Sequence, residues 1–314
     1  APAVNPYDFQ EHRYDRSQPE NVKLLRRLRK LMDDFGGKAT VGEIGDAQHQ
    51  MEVMAAYTSG GDKLNMAYTF DYLGGEFSAA HFRKAIDQTE KEAPEGWICV
   101  AFSNHDVVRH VSRWATHGEQ EAFTRLACTL LLSMRGSICL YQGEELGLTE
   151  AELAFEDLVD PYGIEFWPQF KGRDGCRTPM VWQTQSPTGG FTTATRPWLP
   201  VPADHLTKAV DRQEGDEHSV LHHYRAMLAF RRRHSALIKG SITTLDAPDD
   251  VLAFVREDGT ERLYCVFNMS PKAAIVPVPG GFSLTEASAP GIAAEPVNDT
   301  LSLAPFGAYI GILH

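Results

Sequence analysis

The chain has 314 residues, of which 43% are hydrophobic, and its 42 acidic and 30 basic side chains give a formal net charge of −12. This length is sufficient for a well-buried core and for two domains, and the mixed composition is typical of globular proteins. The acidic balance, without a basic stripe, argues against a nucleic-acid partner. The longest apolar run, around 130–132, is too short to span a membrane, so we expect no membrane partner.

The start of the chain and its cysteines indicate whether the chain is part of a longer polypeptide and which cellular compartment it occupies. The chain begins at Ala1 without a methionine or a secretory signal, and its polar first twenty residues are typical of the middle of a longer polypeptide. Its five cysteines are scattered and odd in number, which favours free thiols in a reducing compartment. We therefore expect a cytoplasmic protein.

Short apolar strands alternate with amphipathic helices over the first part of the chain. Ser17-Gln18-Pro19-Glu20 resembles a capping box, and the helix that follows ends at Gly36-Gly37. The predicted strands cover 39–41, 65–70, 97–102 and 137–141, and the later predicted helices cover 77–91, 119–134 and 218–237. Continuous apolar strands separated by helices predict a parallel sheet that is buried on both faces. The four βα units amount to half of a (β/α)8 TIM barrel.

The last part of the chain changes character after a long irregular segment at about 149–215. The apolar runs 251–255 and 262–267 flank Asp258-Gly259, which is a hairpin signal, and further short strands are predicted at 273–278 and 308–313. The predicted fold is therefore α/β, the C-terminal half of a TIM barrel over residues 1–239, followed by an antiparallel β-sandwich domain over 240–314.

Two carboxylates directly follow predicted strands. Gly42-Glu43 ends the first strand, and Asp106 closes the Ser103-Asn104-His105-Asp106 run after the third. Active sites of barrel enzymes lie at these strand ends, and glycoside hydrolysis needs a pair of carboxylates. The alternative is that either residue caps the next helix.

Four motifs resemble the α-amylase superfamily of glycoside hydrolases, in its α-glucosidase and oligo-1,6-glucosidase branch. In chain order they are VGEIGD, FSNHDVVRHVSRW, SICLYQGEELGL and DPYGIEFWPQFKGRDGCRTPMVW. The likeness extends over essentially the whole chain. It implies a retaining enzyme that acts on the terminal α-linked glucose of short oligosaccharides or sucrose-like substrates.

The resemblance also implies roles for individual residues. Glu43 matches the proton donor, Asp106 the carboxylate that binds the glucose hydroxyls, and His105 the histidine that bonds the same ring. Arg173 matches an arginine that reaches the glucose; the alternative is an ion pair with Asp174 or Glu165.

Phe70 is a candidate aromatic wall beside the leaving group, although an ordinary core position is equally compatible with its sequence context. His218 and His222 have i, i+4 spacing but no evident third ligand, so a solvated helix face is favoured over a metal site. No calcium loop, P-loop or dinucleotide fingerprint occurs in the sequence, and we expect neither a metal nor a cofactor.

The chain departs from the family pattern at the nucleophile. The family carries it in a G-F-R-x-D motif, which occurs nowhere in these 314 residues. We therefore expect the parent protein to be active and this chain alone to be inactive, with its open barrel edges covered by self-association, by a second fragment or by the missing N-terminal half. Two rival functions remain at this stage: transglucosylation or sucrose isomerisation on the same site, and a non-catalytic sugar-binding or assembly module.

Overall fold

The computed structural model describes residues 9–46, 49–115, 120–259, 261–278, 284–286, 294–297 and 299–314. The chain divides into two compact units. The first contains 102–125 and 140–226, and the second contains 13–101, 126–139 and 227–314. Within the described ranges, no helix is long and apolar enough to cross a membrane.

The helices and strands alternate in the first half of the chain, and strands predominate at its end. The helices are α1 (Asn21–Asp34), α2 (Gln50–Thr58), α3 (Ala79–Glu92), α4 (His110–Trp114), α5 (Gln120–Ser133), α6 (Pro161–Glu165), α7 (Ala203–Leu206), α8 (Val210–Glu214), α9 (Val220–Arg233) and α10 (Ser235–Lys239). The strands are β1 (Val41–Ile44), β2 (Met66–Thr69), β3 (Cys99–Val100), β4 (Ser137–Ile138), β5 (Ser241–Leu245), β6 (Val251–Asp258), β7 (Glu261–Asn268), β8 (Ala274–Pro277), β9 (Leu284–Glu286), β10 (Ala294–Val297), β11 (Thr300–Leu303) and β12 (Ala308–Leu313).

The second unit contains the parallel strands predicted from the sequence. β1 pairs with β2 and β3 pairs with β4, both in parallel. A parallel bridge between Ala67 and Ile98 joins the two pairs, so the strands follow one another in chain order. Parallel pairing is confirmed, but the last two strands are only two residues long, because the hydrogen-bonded ladder is shorter than the apolar run that marks it.

The start of α1 differs from the prediction. The helix begins at Asn21 after Glu20, which makes no side-chain cap, and Ser17 has a left-handed φ of +53°. The amide of Asn21 instead donates to the Gln18 carbonyl at 3.0 Å, which closes a turn before the helix. The predicted capping box is therefore wrong.

Helix α3 of the second unit was predicted from the sequence, whereas helix α2 was not. Ser78 caps α3 by accepting from the amide of His81, and the helix buries Phe82 and Ile86 as its apolar spacing predicts. Helix α2 was not predicted, because its methionine, valine and alanine side chains are spread around the helix and leave no single apolar stripe.

The C-terminal strands form two antiparallel sheets, one in the order β5-β6-β7-β12-β9 and the other in the order β10-β11-β8. Tyr264 and Tyr309 of the larger sheet share a buried cluster with Val276, Leu301 and Leu303 of the smaller one. The predicted antiparallel β region is confirmed. In its predicted hairpin, β6 pairs with β7 from Val251 opposite Asn268 onward.

A fully buried arginine ties this β region to helices of the same unit. The Arg256 guanidinium donates to the carbonyls of Ser133 at 2.6 Å, Gly240 at 3.0 Å, Ser241 at 3.0 Å and Leu237 at 3.2 Å. Helix C-termini leave such carbonyls without intrahelical partners, so one cation satisfies the ends of both α5 and α10.

The first unit contains the long segment that was predicted to be irregular, and apart from single-turn 3₁₀ segments its only described helices between 149 and 215 are the short α6, α7 and α8. The helix predicted at 218–237 is in fact two helices, α9 and α10. They are separated at His234, where φ is −111° and ψ is 107°.

Candidate active site

Asp106 lies in a tight turn of the first unit, before α4. The side-chain oxygen of Asn104 accepts from the Asp106 amide at 2.8 Å, and this bond fixes the turn. The cap of α4 is Arg109, not Asp106, and the cap of α2 is His49, not Glu43. The alternative reading of the two carboxylates as helix caps is therefore wrong.

Two arginines converge on one oxygen of Asp106. Nη1 of Arg173 lies 3.1 Å and Nη2 of Arg177 lies 2.7 Å from Oδ1. No described residue donates to Oδ2, and the Asp106 side chain is 35% exposed. Charge-assisted bonds of this kind are stronger than neutral ones, so the carboxylate is held by one oxygen while the other is available to a ligand.

The predicted residues of the first unit are brought together around this carboxylate. His105 Nε2 lies 3.6 Å from Asp106 Oδ1, and Arg177 Nε donates to the backbone carbonyl of His105 at 2.6 Å. His105, Asp106 and Arg173 therefore form one cluster. Arg177 was not predicted as a site residue, although it lies four residues after Arg173 in the same motif.

Arg173 is oriented by Asp160, an acidic residue for which the sequence predicted no role. Its Nε and Nη2 each donate to the Asp160 carboxylate at 2.9 Å, and its backbone amide donates at 2.7 Å. The guanidinium lies 5.1 Å above the Tyr162 ring. These bonds lower the pKa of Asp160 and raise that of Arg173. The acidic partner in this loop is thus Asp160, so the alternative of an ion pair with Asp174 or Glu165 is wrong.

Two glycines and a buried carboxylate shape the loop that carries this pair. The Cα of Gly163 lies only 2.7 Å from the position that a Cβ on Gly172 would occupy, and Gly172 has a φ of +79°. Oδ2 of the fully buried Asp174 accepts from the amides of Val159 and Asp160, both at 2.7 Å. Helix α6 can therefore approach the 171–172 backbone only because both facing positions are glycine.

The buried Arg109 joins several segments of the first unit through hydrogen bonds. Arg109 is 1% exposed and donates to the carbonyls of Gln142 at 2.7 Å and Cys176 at 2.9 Å. Its amide donates to Glu150 Oε2 at 3.0 Å, and burial raises the pKa of Glu150 to about 7. These bonds fix the segment after β4 to the loop that carries Arg173.

Glu43 and Phe70 lie in the second unit. Glu43 is the third residue of β1, opposite Tyr68, rather than a residue beyond the strand end, because the β1–β2 ladder continues to Ile44. Its side chain is exposed, and Oε1 accepts from the Tyr68 hydroxyl at 2.5 Å. Phe70 directly follows β2, is 40% exposed, and its ring lies 6.3 Å from that of Tyr68. A core position for Phe70 is therefore wrong.

No group of three or more His, Cys, Asp or Glu side chains in the described part of the chain is arranged to hold a metal ion. The site residues named above supply carboxylates, a tyrosine hydroxyl and guanidinium groups, which can donate and accept protons and bind hydroxyl groups.

Comparison with known proteins defines the class to which the chain belongs. Residues 2–240 match the family of the alpha amylase catalytic domain, and residues 242–310 match the maltogenic amylase C-terminal domain. Because the first match covers most of the chain, the chain belongs to the alpha-amylase family.

Particular relatives narrow this assignment. The chain is 50% identical over its whole length to a probable alpha-glucosidase of Rhizobium meliloti (strain 1021), and it is 28% identical over 91% of its length to a probable oligo-1,6-glucosidase 2 of Bacillus subtilis (strain 168). It spans 57% of the length of each.

Two solved structures superimpose on nearly the whole of this chain, which covers just over half of each of them. The alpha-glucosyl transfer enzyme XgtA superimposes with a TM-score of 0.93 at 45% identity, over 99% of this chain and 57% of that one. The trehalulose synthase MutB from Pseudomonas mesoacidophila MX-45 superimposes with a TM-score of 0.82 at 27% identity, over 95% and 59% of the two chains.

Proposed function

We propose that the protein carrying this chain is a retaining glycoside hydrolase that removes terminal α-linked glucose from short oligosaccharides or sucrose-like substrates. The observation that carries this proposal is the state of Asp106, in which two arginines occupy one oxygen and no described residue occupies the other. A sugar ring presents adjacent hydroxyl donors, and a carboxylate held in this way accepts from them.

We further propose separate roles for the site residues. Glu43 protonates the leaving oxygen and then activates water, and the Tyr68 hydroxyl orients its carboxyl group by donating to Oε1. Asp106 and His105 bind the glucose hydroxyls, and Arg173 fixes Asp106. Phe70 forms an aromatic wall beside the leaving group, for which its 40% exposure leaves a free ring surface.

We further propose that the whole protein contains polypeptide beyond these residues. We infer that residues 1–239 are the second half of a (β/α)8 barrel and that 240–314 are a β-sandwich domain; the four parallel strands and the shared 57% of length support this. The attacking carboxylate of a retaining mechanism would then lie outside the chain, which alone would be inactive. The cytoplasm is the proposed compartment, since none of the five cysteines, all within the described ranges, forms a disulfide.

Helix α1 has an exposed apolar stripe, which supports the proposal that another polypeptide covers the open edge of the half barrel. Leu24, Leu31 and Phe35 are 56%, 52% and 71% exposed, and Leu28, on the same stripe, is 37% exposed. Apolar side chains at this helical spacing normally pack against another element. We propose that the remaining barrel polypeptide, or a second copy of the chain, covers this stripe.

Transglucosylation is a second candidate, favoured by the structural similarity to an alpha-glucosyl transfer enzyme and to a trehalulose synthase. Hydrolysis and transfer share one glycosyl intermediate and differ in whether water or a sugar hydroxyl attacks it. Product analysis of the whole protein with sucrose and with maltose separates the two outcomes.

The role of Glu43 is tested by Glu43→Gln in the whole protein. We expect hydrolysis of maltose, whose leaving group needs a proton, to fall by about 10²–10⁴-fold, because a glutamine cannot donate one. The value of kcat/KM for α-glucosyl fluoride should be affected much less, because it reports formation of the glycosyl intermediate and fluoride leaves without a proton. Equal loss of kcat/KM on both substrates, or unchanged maltose hydrolysis, would refute the assignment.

A further inference from the structure

We propose that Asp160 is a positioning residue for Arg173. It holds the Arg173 guanidinium in the orientation in which Nη1 donates to Oδ1 of Asp106, so that Oδ2 of Asp106 remains available to bind the sugar. This inference rests on the proposed function, because it assumes that Asp106 binds the substrate ring. Asp160 acts through Arg173 and makes no contact with the substrate itself.

The first support is the set of bonds between Asp160 and Arg173. Oδ2 of Asp160 accepts from both the amide and Nε of Arg173, and Oδ1 accepts from Nη2. A guanidinium has five N–H donors in a fixed plane. Once Nε and Nη2 are bonded to one carboxylate, the direction of Nη1 is determined, and that nitrogen donates to Asp106.

The second support is the rigidity of the Asp160 side chain. It is fully shielded from solvent, and Oδ1 also accepts from the amide of Tyr162 at 3.3 Å, as the cap of α6. Asp174 anchors the backbone of Asp160 from behind. Because both its backbone and its side chain are fixed, Asp160 determines the orientation of Arg173, and Arg173 does not determine that of Asp160.

The third support is the charge around Arg173. One guanidinium lies between two carboxylates, Asp160 and Asp106, and Arg177 adds a second positive group on the Asp106 side. Removing Asp160 would leave Arg173 free to turn both of its amino groups toward Asp106 and occupy Oδ2 as well. The ring hydroxyls would then compete with an arginine for that oxygen.

Enzyme groups that bind ring hydroxyls act most strongly in the oxocarbenium-like transition state. Misplacing Asp106 should therefore lower kcat more than it raises KM. A merely structural role for Asp160 predicts instead a loss of folded protein with unchanged kinetics in the fraction that remains folded.

The variant that separates these possibilities is Asp160→Ser in the whole protein. Serine remains a good helix cap but cannot hold Arg173 by two nitrogens, so α6 should remain folded. We expect kcat on maltose to fall about 10–100-fold, the size of effect that a misplacement near 1 Å produces. The matched control is Asp157→Asn, which breaks the exposed ion pair with Arg196 in the same loop and should leave kcat unchanged.

A double-mutant cycle with Asp106→Asn completes the test. Because Asp160 acts through Asp106, Asp160→Ser should cost little further kcat once Asp106 is already replaced. An undiminished effect in the Asp106→Asn background, or wild-type kcat in folded Asp160→Ser, would overturn the inference. If Asp160→Ser does not fold, Asp160→Asn enters the same cycle and is judged in the same way. An inactive wild-type protein would refute the proposed function instead.

Discussion

Asp106 and Arg177 are 71 residues apart in the sequence, yet a 2.7 Å charge-assisted hydrogen bond joins them, and Arg177 also donates to the carbonyl of His105, the neighbour of Asp106. One side chain thus fixes both the carboxylate and the turn that presents it. Arg177 therefore belongs to the proposed sugar-binding cluster as much as Arg173 does.

The first prediction concerns this residue. Arg177→Ala in the whole protein should lower kcat/KM for maltose by about 10²-fold, because Asp106 loses one of its two anchors and its turn loses a bond. Steady-state kinetics measures the effect. Arg196→Ala is the matched control, since Arg196 pairs with Asp157 on the surface of the same unit. Equal kinetics for the two variants would remove Arg177 from the site.

The second prediction concerns the close approach of Gly163 and Gly172. Gly172→Ala places a Cβ 2.7 Å from a backbone atom at a φ of +79°, so we expect a loss of stability of about 2–4 kcal/mol and a fall in kcat. Gly259→Ala has a similar φ of +61° with no atom within 4 Å, and it measures the conformational cost alone. Thermal unfolding that fails to distinguish the two variants would show that the contact is not required.

The third prediction follows from the half-buried carboxyl group of Glu150. Its pKa is raised from 4.5 to about 7 in the folded protein by burial, so the unfolded chain releases this proton at a lower pH than the folded one. Stability should consequently fall as the pH rises from about 4.5 to 7, by up to about 3 kcal/mol, and level off above that range. In Glu150→Gln this component of the slope should disappear, as urea unfolding at several pH values would reveal; an unchanged slope would contradict it.

The fourth prediction concerns the buried Arg256. Arg256→Met leaves four backbone carbonyls without their donor, and we expect a loss of stability of at least about 3 kcal/mol. Arg225→Met is the control, because Arg225 forms an exposed pair with Glu214 and should change stability much less. Similar unfolding midpoints for the two variants would mean that the four hydrogen bonds of Arg256 contribute little to holding the β region against its helices.

The sequence predicted the order of the strands and the character of both regions, because apolar runs and turn residues are local signals. It did not predict α2, whose apolar residues form no stripe, or the split of the last long helix at His234. It also placed Glu43 beyond its strand, since the extent of a strand depends on the ladder with β2, which is not a property of the segment itself.

The site shows the same division. Asp106, His105 and Arg173 were found through motifs, and the structure brings these three together. Asp160 and Arg177 lie inside the motif that begins at Asp160, but no role was predicted for them, because their contacts with Arg173 and Asp106 are visible only in the structure. A loop residue whose role is to orient another residue leaves no periodicity and no spacing rule in the sequence.

The most direct test of the central claim is the anomeric form of the first sugar released. Time-resolved proton NMR of the whole protein with an aryl α-glucoside, whose leaving group is not a sugar, should show α-glucose appearing first and β-glucose only later by mutarotation, because a retaining mechanism inverts the anomeric carbon twice. Initial release of β-glucose, or no release of glucose or transfer product from any α-glucoside, would contradict it.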